Sequence, residues 1–251
     1  MLLSTAYFPP IEYFALLARY SVVYIEACEN YCKQSWRNRC RILSANGPLD
    51  LNVPVVHEGG SFRIPIKRIR VEYTTPWVVR TERAIESAYS SAPYFGHYRD
   101  GVFAILDSHP DTLWNLNMRI IRYFCEKFGI GTEIRETISF VGEGWVFPPQ
   151  AGLSEALPAS GPLPLQPGAA MASGGSTHPS LPRVAGVSAG KPGAADYRYS
   201  LHPKKENTIM RDLGLERPYW QVFGERFGFT PGLSVLDLLF NEGPDSPEYL
   251  R

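Results

Sequence analysis

The chain has 251 residues, with 25 Lys plus Arg against 25 Asp plus Glu and a formal net charge of zero. A neutral molecule lacks the overall positive field that draws proteins to nucleic acid, so no nucleic-acid partner is expected. Apolar residues make up 44% and aromatics 13%, too much core-forming material for a disordered chain. No apolar run approaches the ~20 residues that cross a bilayer, so no membrane span is expected.

The N-terminal residues carry no basic segment ahead of an apolar run, and Pro9 and Pro10 follow at once. That is unlike a secretory signal. The four Cys, at 28, 32, 40 and 125, then read as reduced thiols in a cytoplasmic protein.

In chain order, residues 4–8 are short, apolar and β-prone. Residues 11–19 carry a 3.6-residue apolar period in Ile11, Phe14, Ala15 and Ala18, hence a helix. Residues 21–25 are β-branched and aromatic, a second strand. Strand, helix, strand in so short a span predicts a compact βαβ start, with polar residues beyond the second strand where open α/β sheets place ligands. Residues 39–43, 49–56 and 66–73 each read as strands, with a turn signal at Asn46, Gly47 and Pro48, so a meander is expected. Helices are predicted at 77–91, 94–107 and 112–128, the last ended by Gly129 or Gly131. Residues 133–141 read as a strand.

Composition then changes. Residues 148–195 hold nine Pro, eight Gly, no aromatic and only three charged groups, Glu155, Arg183 and Lys191. Such a segment buries too little to offset the entropy of ordering, so it is expected to be a disordered insertion. A deletion joining Phe147 to Asp196 through a short linker is expected to keep the thermal midpoint. Residues 233–243 form an amphipathic pattern stopped by Gly243, and the roughly 55 residues after the insertion are too few for a separate domain. The expectation is one α/β domain from 1–147 and 196–251, with a mixed sheet, central helices and a C-terminal helical segment that completes it.

The chemistry concentrates in residues 26–41. This stretch packs Glu26, Glu29, Lys33, Arg37, Arg39 and Arg41 with Asn30, Gln34, Asn38, Tyr31, Trp36 and three Cys. Polar density beside a buried strand is expensive unless the groups pair with one another or with a ligand. Cys28, Cys32 and Cys40 lack the paired C-x2-C spacing of structural zinc, so no metal is expected. Cys32 or Cys40 beside so many cations could have a lowered thiol pKa, with His57 or His202 as base. No phosphate loop or dinucleotide fingerprint is present, and no cofactor is expected. Arg37, Asn38 and Arg39 offer guanidinium forks for phosphate or carboxylate and an amide for hydroxyls. On a strand Arg37, Arg39 and Arg41 would share one face, with Asn38 and Cys40 on the other, and Glu26 and Glu29 could pair with the arginines. A salt-bridged surface strand remains the alternative. His202 and the Lys204–Lys205 pair could add to the same pocket.

Several of these residues carry a family resemblance. Thr5, Ala6, Tyr7, Phe8, Pro9 and Pro10, followed by Tyr13 and Phe14, look like the opening of WbqC-like proteins. Lys33, Gln34, Ser35, Trp36, Arg37, Asn38 and Arg39 resemble that family's Lys/Gln–aromatic–Arg-Asn-Arg motif, and Asn52, Val53, Pro54 and Val55 resemble its strand ending in Pro-Val. Trp77, the Ala92–Phe95 segment and the 233–243 helix fit later positions. Ser4, Thr5 and Ala6 stand where many members have Gln-Pro, the insertion is unusual, and the Glu29, Asn30, Tyr31 form looks most like the Bacteroidetes branch. The resemblance implies a bacterial protein of surface-polysaccharide or O-antigen biosynthesis, a transferase acting on an activated, nucleotide-linked amino sugar by acyl or aminoacyl transfer. A non-catalytic binding or partner role is the alternative, as is association with other biosynthetic proteins. The candidates are Glu26, Glu29, Cys40 and His202 for catalysis, and Tyr7, Asn30, Lys33, Gln34, Arg37, Asn38, Arg39 and Lys204 for binding the sugar or acyl donor.

Overall fold

The computed structural model describes residues 1–56, 64–142 and 195–251. Three short parallel strands form its first sheet, in the order β1 (Leu2–Ser4), β2 (Val22–Glu26), β5 (Glu133–Glu136). Leu2 lies opposite Tyr24, and Val23 opposite Ile134. Leu2, Leu3, Val23 and Ile25 are completely buried, as expected of a parallel sheet covered on its faces. Between β1 and β2 runs α1 (Ile11–Arg19), whose Phe14, Leu16 and Leu17 are also fully buried. The βαβ start is therefore present, with β1 earlier than the expected 4–8: residues past Ser4 leave the sheet, and Phe8 adopts a φ of 36°. Beyond β1 the returning chain takes the next place, because Leu2 N–H donates to the Ala195 carbonyl and Tyr197 N–H to the Leu2 carbonyl.

The second sheet is an antiparallel hairpin, β3 (Arg39–Ser44) and β4 (Gly47–Asn52), with Ser44 opposite Gly47 and Arg41 opposite Asp50. The expected third strand at 66–73 does not form. Pro54 has no N–H to continue a ladder, Ile66–Arg68 makes a 3-10 turn behind Pro65, and two isolated bridges remain, Val55–Val71 and Arg70–Thr112. The mixed sheet is thus two separate sheets, one parallel and one antiparallel.

Helices α2 (Trp77–Tyr89), α3 (Phe95–Asp107) and α4 (Leu113–Lys127) follow. The Thr112 hydroxyl caps α4 by accepting from Asn115 N–H at 3.2 Å, and Gly129 takes the left-handed turn that ends it (φ 59°). The C-terminal segment adds short helices α5 (Ile209–Asp212) and α6 (Gly224–Phe227), then α7 (Val235–Glu242). In α7, Val235, Leu236, Leu238, Leu239 and Phe240 have no exposed surface, so this helix is core. Its start is stitched to both halves of the fold: Ser234 N–H donates to Arg41 O at 2.7 Å and Val235 N–H to Pro9 O at 2.8 Å. Its end needs glycine twice over. Gly243 has φ 52°, and a Cβ there would lie 2.4 Å from the Tyr94 ring. The expected insertion at 148–195 lies, except for Ala195, outside the described residues.

Candidate functional site

Two polar assemblies sit where β2 and β3 meet the loop between them. The first is closed. Glu26, at the C-terminal end of β2 and fully buried, accepts from four donors: Cys28 N–H and the Thr137 hydroxyl on one oxygen (2.9 and 2.6 Å), Val141 N–H and Arg198 Nη1 on the other (2.9 and 3.0 Å). Arg198 also grips Asp196 at 2.7 Å. Beside it Glu29 holds Arg37: Nε donates to Oε1 at 2.8 Å, Nη2 donates to Oε2, and the Ser4 hydroxyl donates to Oε2 at 3.0 Å. Both partners are buried, and the bidentate geometry is the kind that compensates desolvation. A cavity of about 10 Å³ lies against Ser4, Thr5, Arg37 and Arg198, the size of one water, and Thr5 Oγ1 faces no protein partner. Glu26, Glu29 and Arg37 are thus consumed by structural pairs. Arg37 precedes β3 and is buried away from Arg39 and Arg41, so the expected common face of three arginines is not formed.

The second assembly is an open cleft of about 710 Å³. The 31–34 turn, the start of β3 with the end of β4, and the beginning of α2 wall it, contributing Tyr31, Lys33, Gln34, Asn38, Arg39, Asp50, the 51–55 segment, Thr75, Trp77, Arg80 and Thr81. Two-residue closure of the hairpin places Asp50 against two guanidiniums, Arg41 Nε at 2.8 Å and Arg39 Nη1 at 3.3 Å. Arg39 Nε also donates to Asn52 Oδ1 at 3.0 Å, and Asn38 Nδ2 to Val53 O at 3.1 Å. Gln34 sits at the turn's tip with φ 56° and accepts from the Lys204 ammonium. Lys33 and Arg80 have no acidic partner among the described residues.

The cleft's inner side has unspent hydrogen-bonding capacity. Trp77 is 5% exposed and its Nε1 has no acceptor among the described residues. Behind it Tyr7, which lines neither cavity, is fully buried beside Thr81 and Cys40 and makes no well-formed bond through its hydroxyl among the described residues. Each such group costs about 1–3 kcal/mol relative to a satisfied one. Burial, then the neighbouring Cys40, pushes the Tyr7 phenol well above its usual pKa, so it stays a neutral donor or acceptor. Burial likewise pushes the Cys40 thiol well above the ordinary range, with Asp50 adding to the effect. Cys40 is therefore not a thiolate, and the lowered pKa imagined from neighbouring cations is overturned by its inward position in β3.

His202 is half-buried and lines neither cavity. Burial first, then Lys205, Arg37 and Lys204, lower its pKa, and its Nδ1 accepts from Lys204 N–H at 3.2 Å. Asn30 is exposed, pairing through its backbone with Pro65. His57 lies outside the described residues. Of the expected binding residues, then, Lys33, Gln34, Asn38 and Arg39 come together on the cleft, with Lys204 tied to Gln34. Trp77, Arg80, Thr81, Asp50 and Arg198 were not singled out for chemistry. Asp50 was recoverable from the turn, since a two-residue loop sets it opposite Arg41. Arg80 and Arg198 carry no local signal. Among the described residues no group of three or more His, Cys, Asp or Glu gathers as a metal site, and no helix is long and apolar enough to cross a membrane.

Comparison with known proteins matches residues 5–144 to the WbqC-like protein family. An uncharacterized protein of Mycobacterium tuberculosis, Rv1507c, is 28% identical over 255 aligned positions, which cover all of this chain and 96% of that protein. No solved structure matches.

Proposed function

The chain belongs to the WbqC-like protein family, and we propose that its open cleft binds an activated, nucleotide-linked amino sugar used in surface-polysaccharide assembly. The observation that carries this is the cleft's inventory: unpaired cations, side-chain amides and aromatic faces on one concavity of a molecule whose net charge is zero. Cations suit the phosphates, Asn38, Gln34 and Asn52 suit hydroxyls and an N-acyl group, and Tyr31 and Trp77 suit a sugar or base face.

An acyl or aminoacyl transfer on the bound sugar calls for a group that moves a proton. Asp50 is spent on two arginines and Cys40 is buried, which leaves His202, kept neutral by burial and nearby cations, as the base candidate among the described residues. Because His202 lies off the cleft, a second reading is favoured beside the first: a binding protein that presents the sugar to another biosynthetic protein. Calorimetric titration with a nucleotide-linked amino sugar tests the common part. Arg39→Ala should weaken binding by ~10-fold or more, about 1.4 kcal/mol, and Cys40→Ala should leave it unchanged. Absence of binding by the native protein, or equal binding by both variants, contradicts the proposal. A product bearing a new acyl group after incubation with an acyl donor separates enzyme from carrier.

A further inference from the structure

Resting on the cleft assigned above, the geometry points to a phosphate subsite within it, built from Lys33 on the 31–34 turn and, on the facing wall, Arg80, the Trp77 indole N–H and the open N-terminus of α2. Three observations converge. First, charge does not balance there. Among the described residues the cleft holds Lys33, Arg39 and Arg80 against the one carboxylate of Asp50, and Asp50 is already shared between Arg39 and Arg41. Lys33 and Arg80, both exposed, are left without an acidic partner among the described residues. Second, α2 is a 13-residue helix with no side-chain cap, and Thr75, Trp77, Arg80 and Thr81 around its first turn all line the cleft. Its first amides include those of Trp77, which turns back to Thr75 O, and Arg80, which bonds Pro76 O. The Val78 and Val79 amides have no such acceptor among the described residues. An uncapped helix start presents partial positive charge and free donors to an anion.

Third, Trp77 lines the same cleft, is more than nine-tenths buried, and its Nε1–H has no acceptor among the described residues. An indole nitrogen can only donate, so the missing partner is an acceptor oxygen. Spacing on the helix explains the grouping, because Trp77, Arg80 and Thr81 stand at i, i+3 and i+4 and share one face. Two uncompensated cations, free amides and a buried lone donor fit a ligand with about two negative charges on adjacent oxygens. A diphosphate diester is that chemistry. Arg37, the first arginine of the Arg-Asn-Arg motif, has no part in it, since Glu29 occupies its guanidinium.

The test uses the full chain, with inorganic pyrophosphate, a nucleoside diphosphate, a nucleotide-linked amino sugar and the free amino sugar as probes. Lys33→Gln with Arg80→Gln changes only exposed side chains, so the thermal midpoint should not move. Trp77→Phe removes the indole donor and keeps an aromatic ring. The double variant should lose at least 30-fold in affinity for all three phosphate-bearing probes and retain native affinity for the free sugar. Trp77→Phe should lose several-fold for the same three. If the double variant binds the phosphate-bearing probes as the native protein does, or if binding in both disappears alike in moderate salt, the subsite is overturned, whereas native binding of the nucleotide sugar would still uphold the cleft. Pyrophosphate bound through Lys33 and Arg80, with no sugar bound in any form, would uphold the subsite and overturn the sugar.

Discussion

Glu29 and Arg37 show how a charged residue can be central to a motif and still be structural. Each is buried, and among the described residues each has the other as its one opposite charge at contact distance. Removing one partner leaves an uncompensated charge in the interior, a loss of about 3–5 kcal/mol. Glu29→Leu and Arg37→Met as single variants should therefore unfold at much lower urea concentration, and the double variant should recover a large part of the loss. Single variants with native urea midpoints would contradict this. Both Glu26 and Glu29 were expected to pair with the nearby arginines, and of the two Glu29 does so, with Arg37. The sequence could not supply Arg198 as the partner of Glu26, because the two are 172 positions apart and nothing local links them. Cys40 failed for a related reason: neighbouring cations suggested a reactive thiol, but β3 alternation turns the side chain inward.

At the scale of the element, α7 sets a pH-dependent term in stability. Its Asp237 is buried and accepts from the Tyr89 hydroxyl (2.9 Å), the Tyr219 hydroxyl (2.6 Å) and Gln221 Nε2 (3.0 Å), with no cation paired to it among the described residues. Burial outweighs these donors and lifts its pKa from 3.8 to about 6. An acid whose folded pKa is raised stabilises the fold most while both states are protonated. That advantage declines as pH climbs through the unfolded value toward about 6 and is gone above it. The shift corresponds to about 3 kcal/mol. Other carboxylates titrate too, so the readout is a difference: Asp237→Asn should gain stability relative to the native chain between pH 4 and pH 7. A difference that stays constant over that range would contradict the account. Helix and strand identities were legible where periodicity was strong, as in α1, α4 and α7. The strand expected at 66–73 is absent because its β-branched residues pack without a continuous ladder, which Pro54 and Pro65 interrupt.

For the whole molecule, Glu26 joins what lies on either side of the Pro/Gly-rich segment. Val141 N–H, before it, and Arg198, after it, both bond to the same Glu26 oxygen, and Ala195 pairs with Leu2. The flanks are thus anchored independently of residues 148–194. We propose that these are dispensable for the fold. Replacing them with a short Gly-Ser linker should shift the thermal midpoint by less than roughly 3 °C, the equivalent of about 1 kcal/mol at this size. A larger drop would show that the segment packs. The neutral charge of the chain excluded a global field but hid a local one, since the cations of the cleft are balanced by acids elsewhere. That imbalance was legible only once the hairpin register and the position of α2 were known.

The central claim is that the cleft between the 31–34 turn, the hairpin and the start of α2 is where the ligand binds. The most direct test is cross-linking with a photoreactive nucleotide-linked amino sugar, followed by peptide mapping. Adducts should fall on Tyr31, Lys33, Trp77 or Arg80 and on the 51–55 segment, and excess unmodified nucleotide sugar should suppress them. Adducts confined to other surfaces, or labelling that competitor does not reduce, would contradict it.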